Sequence, residues 1–230
     1  ETLQRMLKPF VLRRTKQQVA TDLPELTNIQ VECPMDAWQS KLYEKYRITY
    51  QKLVENALEE EGIEKSRFRI LEGLTRLRQL CCSPTLIKGL QKKVPVRKIP
   101  AKVDRFLELA DELIQEGHKA LVFSQFVTFL KEIEDQVKQK GWSYEYLDGS
   151  TLNRQKRVDA FEGNPEKKLF LISLKAGGEG LNLTSADYVF IMDPWWNPAA
   201  ERQAMDRTHR IGQTRQVFVY RLVTPDTVEE

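Results

Sequence analysis

Gln203, Arg207 and Arg210 stand four and three residues apart, the spacing that brings side chains onto one edge of an α-helix. An amide and two guanidinium groups aimed the same way make a grip for an anion. Guanidinium stays charged and meets phosphate oxygens through paired hydrogen bonds. Two such groups can therefore hold a polyphosphate and stabilise the charge that develops as a phosphoryl group is transferred. A solvated basic face, with Asp206 and Glu201 as partners, is the competing reading. The neighbouring residues favour the grip: Asp193-Pro-Trp-Trp-Asn-Pro198 precedes the arginines, and His209, Gly212 and Gln213 complete the pattern. Asn197 suits an N-cap and Pro198 the first helical position, so a helix is predicted over residues 198–209. Trp195 and Trp196 lie in a Pro-flanked turn where both indoles are awkward to bury, and one of them is expected in the core.

These residues need a scaffold, and the pattern after Gly117 supplies one. Short apolar runs at 119–124, 144–147, 169–173, 188–192 and 217–222 alternate with helical stretches at 127–140 and 153–161, after a first amphipathic helix at 101–116. That alternation implies an α/β fold with a mostly parallel sheet covered by helices on both faces. Periodicity alone leaves a Rossmann arrangement open. In such sheets ligands collect beyond the carboxyl ends of the strands. Ser124-Gln125, Asp148-Gly-Ser-Thr151, Lys175-Ala-Gly-Gly-Glu-Gly-Leu-Asn182 and Asp193 all fall there. Gly178 and Gly180 leave room for backbone to approach a ligand closely. Lys175, Arg154 and Arg157 lie beside these loops, where they either bind phosphates without reading sequence or are solvated surface.

Upstream, residues 29–33 alternate as a short edge strand. Trp38, Leu42, Tyr46, Tyr50, Leu53 and Ala57 give one apolar face to a helix over 36–61, and Ile70, Leu71, Leu74, Leu77 and Cys81 give one to a second over 66–82. Both stripes read as core, and Pro84 ends the second helix. The divisions expected are 1–33, linker and edge strand; 34–88, helical protrusion; 89–100, linker; and 101–230, the α/β body.

The 36 basic and 33 acidic residues leave a net charge of +3, too small to carry a claim of nucleic-acid binding by itself. Cys33, Cys81 and Cys82 have neither disulfide nor zinc spacing, and the pair is expected at the buried end of a helix. No apolar run approaches membrane-spanning length. The chain opens at Glu1 and is expected to be a piece of something longer. Neither GxxxxGK[ST] nor an acidic pair after a strand occurs, so the usual cradle for ATP phosphates and metal is absent from the sequence. His118 and His209 are given no catalytic partner.

Gln203-Ala-Met-Asp-Arg-Thr-His-Arg-Ile-Gly-Gln213 resembles the last motif of the Swi/Snf family of helicase-like ATPases. Ala176-Gly-Gly-Glu-Gly180 resembles the family's fifth motif, and Leu77-Arg-Gln-Leu-Cys-Cys-Ser-Pro84 its helical protrusion. The resemblance implies the second of two RecA-like lobes, in a motor that hydrolyses ATP between them and moves along double-stranded DNA. It casts Arg207, Arg210 and Gln203 as catalytic, and puts Gly178, Gly180 and Asn182 by the nucleotide. Ser124, Gln125, Ser173, Lys175, Trp196, Arg154 and Arg157 would face DNA. ATP phosphates and Mg²⁺ would be held by the N-terminal lobe, which is a partner alongside double-stranded DNA and a DNA-bound protein or nucleosome. No membrane partner is implied, and the location is cytoplasmic in a prokaryote or nuclear in a eukaryote. Leu174 stands where the family often has threonine, which leaves Ser173 as the source of any hydroxyl contact to DNA. Two rival readings are a noncatalytic DNA-binding or docking module with the same fold, and a strand-separating helicase.

Overall fold

The computed structural model describes residues 23–91, 99–177, 181–195, 198–210 and 212–230. Its strands are β1 (Leu26–Glu32), β2 (Ala120–Ser124), β3 (Tyr144–Leu147), β4 (Leu169–Ser173), β5 (Tyr188–Ile191) and β6 (Val217–Val223). They form one sheet in the order β1-β6-β5-β2-β4-β3, every pair parallel. Successive residues of a strand point to opposite faces, and the apolar sequence of each strand is divided accordingly. Ala120 and Val122 join Leu169, Leu171, Phe190 and Leu222 on one face. Leu121 and Phe123 join Phe170, Ile172, Val189 and Val219 on the other.

Helices α2 (Ala101–Gln115) and α3 (Val127–Gln139) cover the first face through Val103, Phe106, Phe129 and Ile133. Helix α4 (Arg154–Gly163) brings Val158 and Phe161 to the second. Burying a parallel sheet on both sides is the reason its strands read as near-continuous apolar runs. The strand order excludes the Rossmann alternative. A Rossmann sheet lays its second strand beside its first, whereas here the chain leaves β2 for the sheet edge at β3 and returns to place β4 between them.

Helix α1 spans Ala37–Cys82 without a break in its helical assignment. A straight helix of 46 residues would be about 69 Å long, yet its two ends meet. Gln39 Nε2 donates to the Leu80 carbonyl at 2.7 Å. Farther out, a Cβ added to Gly73 would lie 3.0 Å from the Tyr50 ring. The helix therefore folds back on itself between Ala57 and Ser66, both buried where the arms close, and its arms run where the two apolar stripes predicted two helices. Asp36 caps the first arm by accepting from Gln39 N–H at 2.7 Å. Tyr43, Leu77, Leu80, Cys81 and Ile87 form a small core at the hairpin's base. Among the described residues no helix is long and apolar enough to cross a membrane.

Candidate functional site

Helix α6 (Pro198–Met205) is shorter than the sequence predicts. The Thr208 hydroxyl donates to the Met205 carbonyl at 3.0 Å and its N–H reaches the same oxygen at 3.1 Å. The ladder bond from His209 N–H to that oxygen is still made at 3.0 Å, but Arg210 N–H turns to the Thr208 carbonyl at 3.0 Å, and Gly212 at φ +104° turns the chain further. Arg207 and Arg210 consequently sit in an irregular turn beyond the helix and not on one helical edge with Gln203, which stays within α6.

That turn is tied down from three directions. Leu183 N–H donates to the Arg207 carbonyl at 3.1 Å. His209 Nε2 lies 2.7 Å from the Pro24 carbonyl, at the entry to β1. Buried Gln213 donates from Nε2 to the carbonyls of Thr184 (3.1 Å), Ala186 (2.9 Å) and Thr208 (3.4 Å), while its Oε1 accepts from Arg215 N–H at 2.9 Å. Leu183, Thr184 and Ala186 belong to the strap that carries the chain from the carboxyl end of β4 to the amino end of β5. The same strap includes exposed Asn182, one residue from the Arg207 contact, so two groups far apart in sequence are brought together.

Arg207 is 8% exposed. Burial, and then the neighbouring Arg210, pull its guanidinium below the ordinary range, with Asp206 opposing. Two cations held this near each other repel, and an anion placed between them relieves the repulsion. Glu201 is engaged at the end of β5 and by β6. Its carboxylate accepts from Trp195 N–H at 2.6 Å and pairs with Arg221 at 3.0 Å. The donor set of the turn, two guanidinium groups, suits a triphosphate and does not suit a metal ion.

At the carboxyl rim the residues divide. Ser124 is buried, and its hydroxyl accepts from Phe126 N–H at 3.1 Å. Ser173 is buried too, its hydroxyl 3.4 Å from Ala176 N, at the start of the single helical turn α5 (Leu174–Gly177). Both hydroxyls meet an N–H of their own loops. Lys175 is exposed on that turn. Arg154 opens α4 and is half-buried. Arg157 is exposed one turn further on, with its guanidinium 3.0 Å from Glu145, a carboxylate it shares with Lys167. Gly178, Gly180 and Trp196 lie outside the described residues.

Gln125 contributes backbone: its N–H donates to both carboxylate oxygens of Asp193, at 3.2 and 3.1 Å. The contact spans β2 and β5, where connections leave the sheet in opposite directions and a ligand crevice is expected. Asp193 is fully buried, and burial pushes its carboxyl up to about 6 against the opposing pull of Ser124, Lys102, Arg78 and Gln125 N–H. Arg78, on α1, lies 3.9 Å from it and donates to the Pro194 carbonyl at 2.8 Å. Lys102, on α2, donates to the Met192 carbonyl at 3.1 Å and pairs with Glu229 at 2.6 Å. Trp195 packs against the second core cluster.

Sequence reasoning missed this network, because its bonded partners are 68 to 127 residues apart and no local spacing marks them. It also gave His118 no partner. His118 Nδ1 lies 2.7 Å from Asp187, at the amino ends of β2 and β5, and Arg215 shares that carboxylate at 3.3 Å. The three cysteines are buried and free. Burial raises the Cys33 thiol to about 11, which keeps it protonated and unreactive.

Residues 101–212 match the family model described as helicase conserved C-terminal domain, and residues 1–86 match that of the SNF2-related domain. The chain is 37% identical over 99% of its length to the ISWI chromatin-remodeling complex ATPase ISW1 of Saccharomyces cerevisiae. It is 36% identical over 99% of its length to a Mycoplasma pneumoniae protein named as an uncharacterized ATP-dependent helicase. In both cases it spans only 21% of the relative. Among solved structures, the Sulfolobus solfataricus SWI2/SNF2 ATPase core in complex with dsDNA superimposes with a TM-score of 0.74 at 33% identity. That match covers 99% of this chain and 47% of the other.

Proposed function

The chain belongs to the Swi/Snf family of helicase-like ATPases, of which it carries the C-terminal RecA-like lobe, and from that premise we propose that it is the arginine-donating half of a double-stranded-DNA translocase. Arg207 and Arg210 bind the terminal phosphates of ATP from this side. Gln203 and the strap through Gly178, Gly180 and Asn182 complete the contact. ATP supplies the phosphoryl group whose transfer to water drives the motor. The part played by this chain is electrostatic: two guanidinium groups neutralise charge that builds on the transferring phosphate, which is worth roughly 10³ to 10⁵ in rate for arginine fingers in related reactions. Mg²⁺ and the phosphate cradle come from the N-terminal lobe, so this lobe alone has little to act upon.

The observation that carries the reading is the arginine turn. Three separate tethers hold the turn, and burial, then the like charge of Arg210, disfavour the charge on Arg207, which a bound polyphosphate would favour. Lys175, Arg154, Arg157 and Trp196 supply a sequence-independent hold on DNA, and the solved relative bound to dsDNA supports that part by similarity. The remodelled object is a DNA-bound protein or a nucleosome, by likeness to ISW1.

The test uses the purified 230-residue chain. It should release no phosphate from ATP with or without DNA. Its DNA binding should be weak, indifferent to sequence and steeply salt-dependent, with Lys175→Ala lowering the salt slope by roughly one phosphate contact. DNA-stimulated turnover by this chain alone, or a preference for one sequence, would contradict the assignment.

A further inference from the structure

We propose that Arg78 is a positioning residue that couples the helical hairpin α1 to the Asp193–Trp195 turn, so that the hairpin governs how this lobe engages DNA. The proposal rests on the reading of the lobe as half of a DNA-dependent ATPase. It starts from an unusual concentration of buried polar tethers on four consecutive residues. The Met192 carbonyl is held by Lys102 from α2. The Asp193 carboxylate receives Gln125 N–H from the end of β2. The Pro194 carbonyl is held by Arg78 from α1. Trp195 N–H is held by Glu201 from α6.

A loop at a strand end ordinarily leaves such groups to water. Here each has a protein partner from a different element, which over-determines the path of the turn that leads into the second tryptophan and α6. Arg78 differs from the other tethers in origin, because it comes from the hairpin and the others come from the α/β body. It is almost wholly buried, lies over the Phe126 ring at 5.7 Å, and spans Asp193 and Pro194 together. Both contacts run from one nitrogen, Nη2, at the end of a side chain longer than lysine's.

The hairpin is also closed beside this residue. Gln39 bonds the Leu80 carbonyl two residues beyond Arg78, and Val228 N–H donates to the Tyr43 hydroxyl at 3.0 Å. A change in the angle of the arms thus moves Arg78 and the Pro194 carbonyl together. A turn displaced by even an ångström presents the tryptophans and the start of α6 differently, and α6 leads directly to the arginine turn.

The experiment uses the motor made by joining this chain to its N-terminal lobe, with three variants: Arg78→Gln, Arg78→Lys and Gln39→Ala. The last loosens the hairpin base without touching the turn. Arg78→Gln should raise the DNA concentration for half-maximal ATPase by about tenfold, with KM for ATP moving less than twofold. Amide exchange at Gln125 and Trp195 should accelerate in the same variant. Arg78→Lys should recover only part of both effects, and Gln39→Ala should shift both readouts in the same direction as Arg78→Gln but by a smaller factor. Unchanged exchange at Gln125 and Trp195 in Arg78→Gln would overturn the proposal. So would faster exchange with unaltered DNA activation, or a Gln39→Ala motor that loses stability with both readouts unmoved, which would mark the hairpin as uncoupled from the turn. A wild-type motor indifferent to DNA would overturn the underlying reading of the lobe, and the proposal with it.

Discussion

Replacing Gln213 with alanine removes a side chain that meets four backbone groups at once. Two of its donor contacts are of ordinary length, to Thr184 at 3.1 Å and Ala186 at 2.9 Å, and its acceptor contact to Arg215 N–H is 2.9 Å. At roughly 0.5 to 1.5 kcal/mol each, with a further penalty where a buried carbonyl is left unpaired, the loss should be about 3 kcal/mol. For a chain of this length that lowers the melting temperature by about 6 to 12 °C. Gln213→Glu sharpens the test. The ionised carboxylate has no donor and faces three carbonyl oxygens, so it should cost more than alanine at neutral pH. Burial and those oxygens raise its folded pKa above the unfolded value. A raised folded pKa means that stability is recovered as pH falls through it and lost as pH rises, because the protonated acid regains one donor. Urea unfolding of the three proteins between pH 5 and 8 measures all of this. An alanine variant within about 1 kcal/mol of wild type, or a glutamate variant whose deficit is flat with pH, would refute the claim that Gln213 pins the arginine turn.

The Lys102–Glu229 pair is wholly buried on both sides, so Glu229→Leu or Lys102→Met alone should cost about 3 to 5 kcal/mol, and the double variant Lys102→Met with Glu229→Leu clearly less than their sum. A double-mutant cycle by chemical denaturation checks the coupling, and additive losses would deny it. Asp193 carries a folded pKa of about 6 against an ordinary 3.8. Its contribution is therefore favourable in acid and is lost as pH rises through that window, a fall of about 3 kcal/mol at about 1.4 kcal/mol per pKa unit. Asp193→Asn should remove that step from the pH profile of stability, and an unchanged profile would contradict the assignment.

Much of the sheet was legible in the sequence because burial on two faces forces continuous apolar strands. Residues 120–124 and 169–173 could hardly be anything else. The strand order was not legible, since nothing in β3 or β4 states which of them lies beside β2. The hairpin's two arms showed as two apolar stripes, whereas their close contact at Gly73 and Tyr50 depends on geometry that the stripes do not encode. Helix α6 was read four residues too long because spacing reports where side chains would point if the helix continued. The turn of Arg210 N–H to the Thr208 carbonyl, where the helical ladder is lost, carries no such signal. Ser124 and Ser173 were placed at the right strand ends, and each hydroxyl meets an N–H of its own loop, a contact that spacing does not announce. Arg78, Lys102 and Glu229 escaped notice because their partners are distant in the chain.

The central claim is that Arg207 and Arg210 act on the phosphate in transfer, and the most direct measurement is DNA-stimulated ATPase of the rejoined motor carrying Arg207→Ala or Arg210→Ala. Folding and DNA affinity should stay close to wild type. Turnover should fall by roughly 10³-fold or more, about 4 kcal/mol of barrier, and lysine should restore little of it because one ammonium lacks the paired donors. Turnover within tenfold of wild type in both alanine variants would contradict the account and leave the turn as a structural feature of a lobe that only binds.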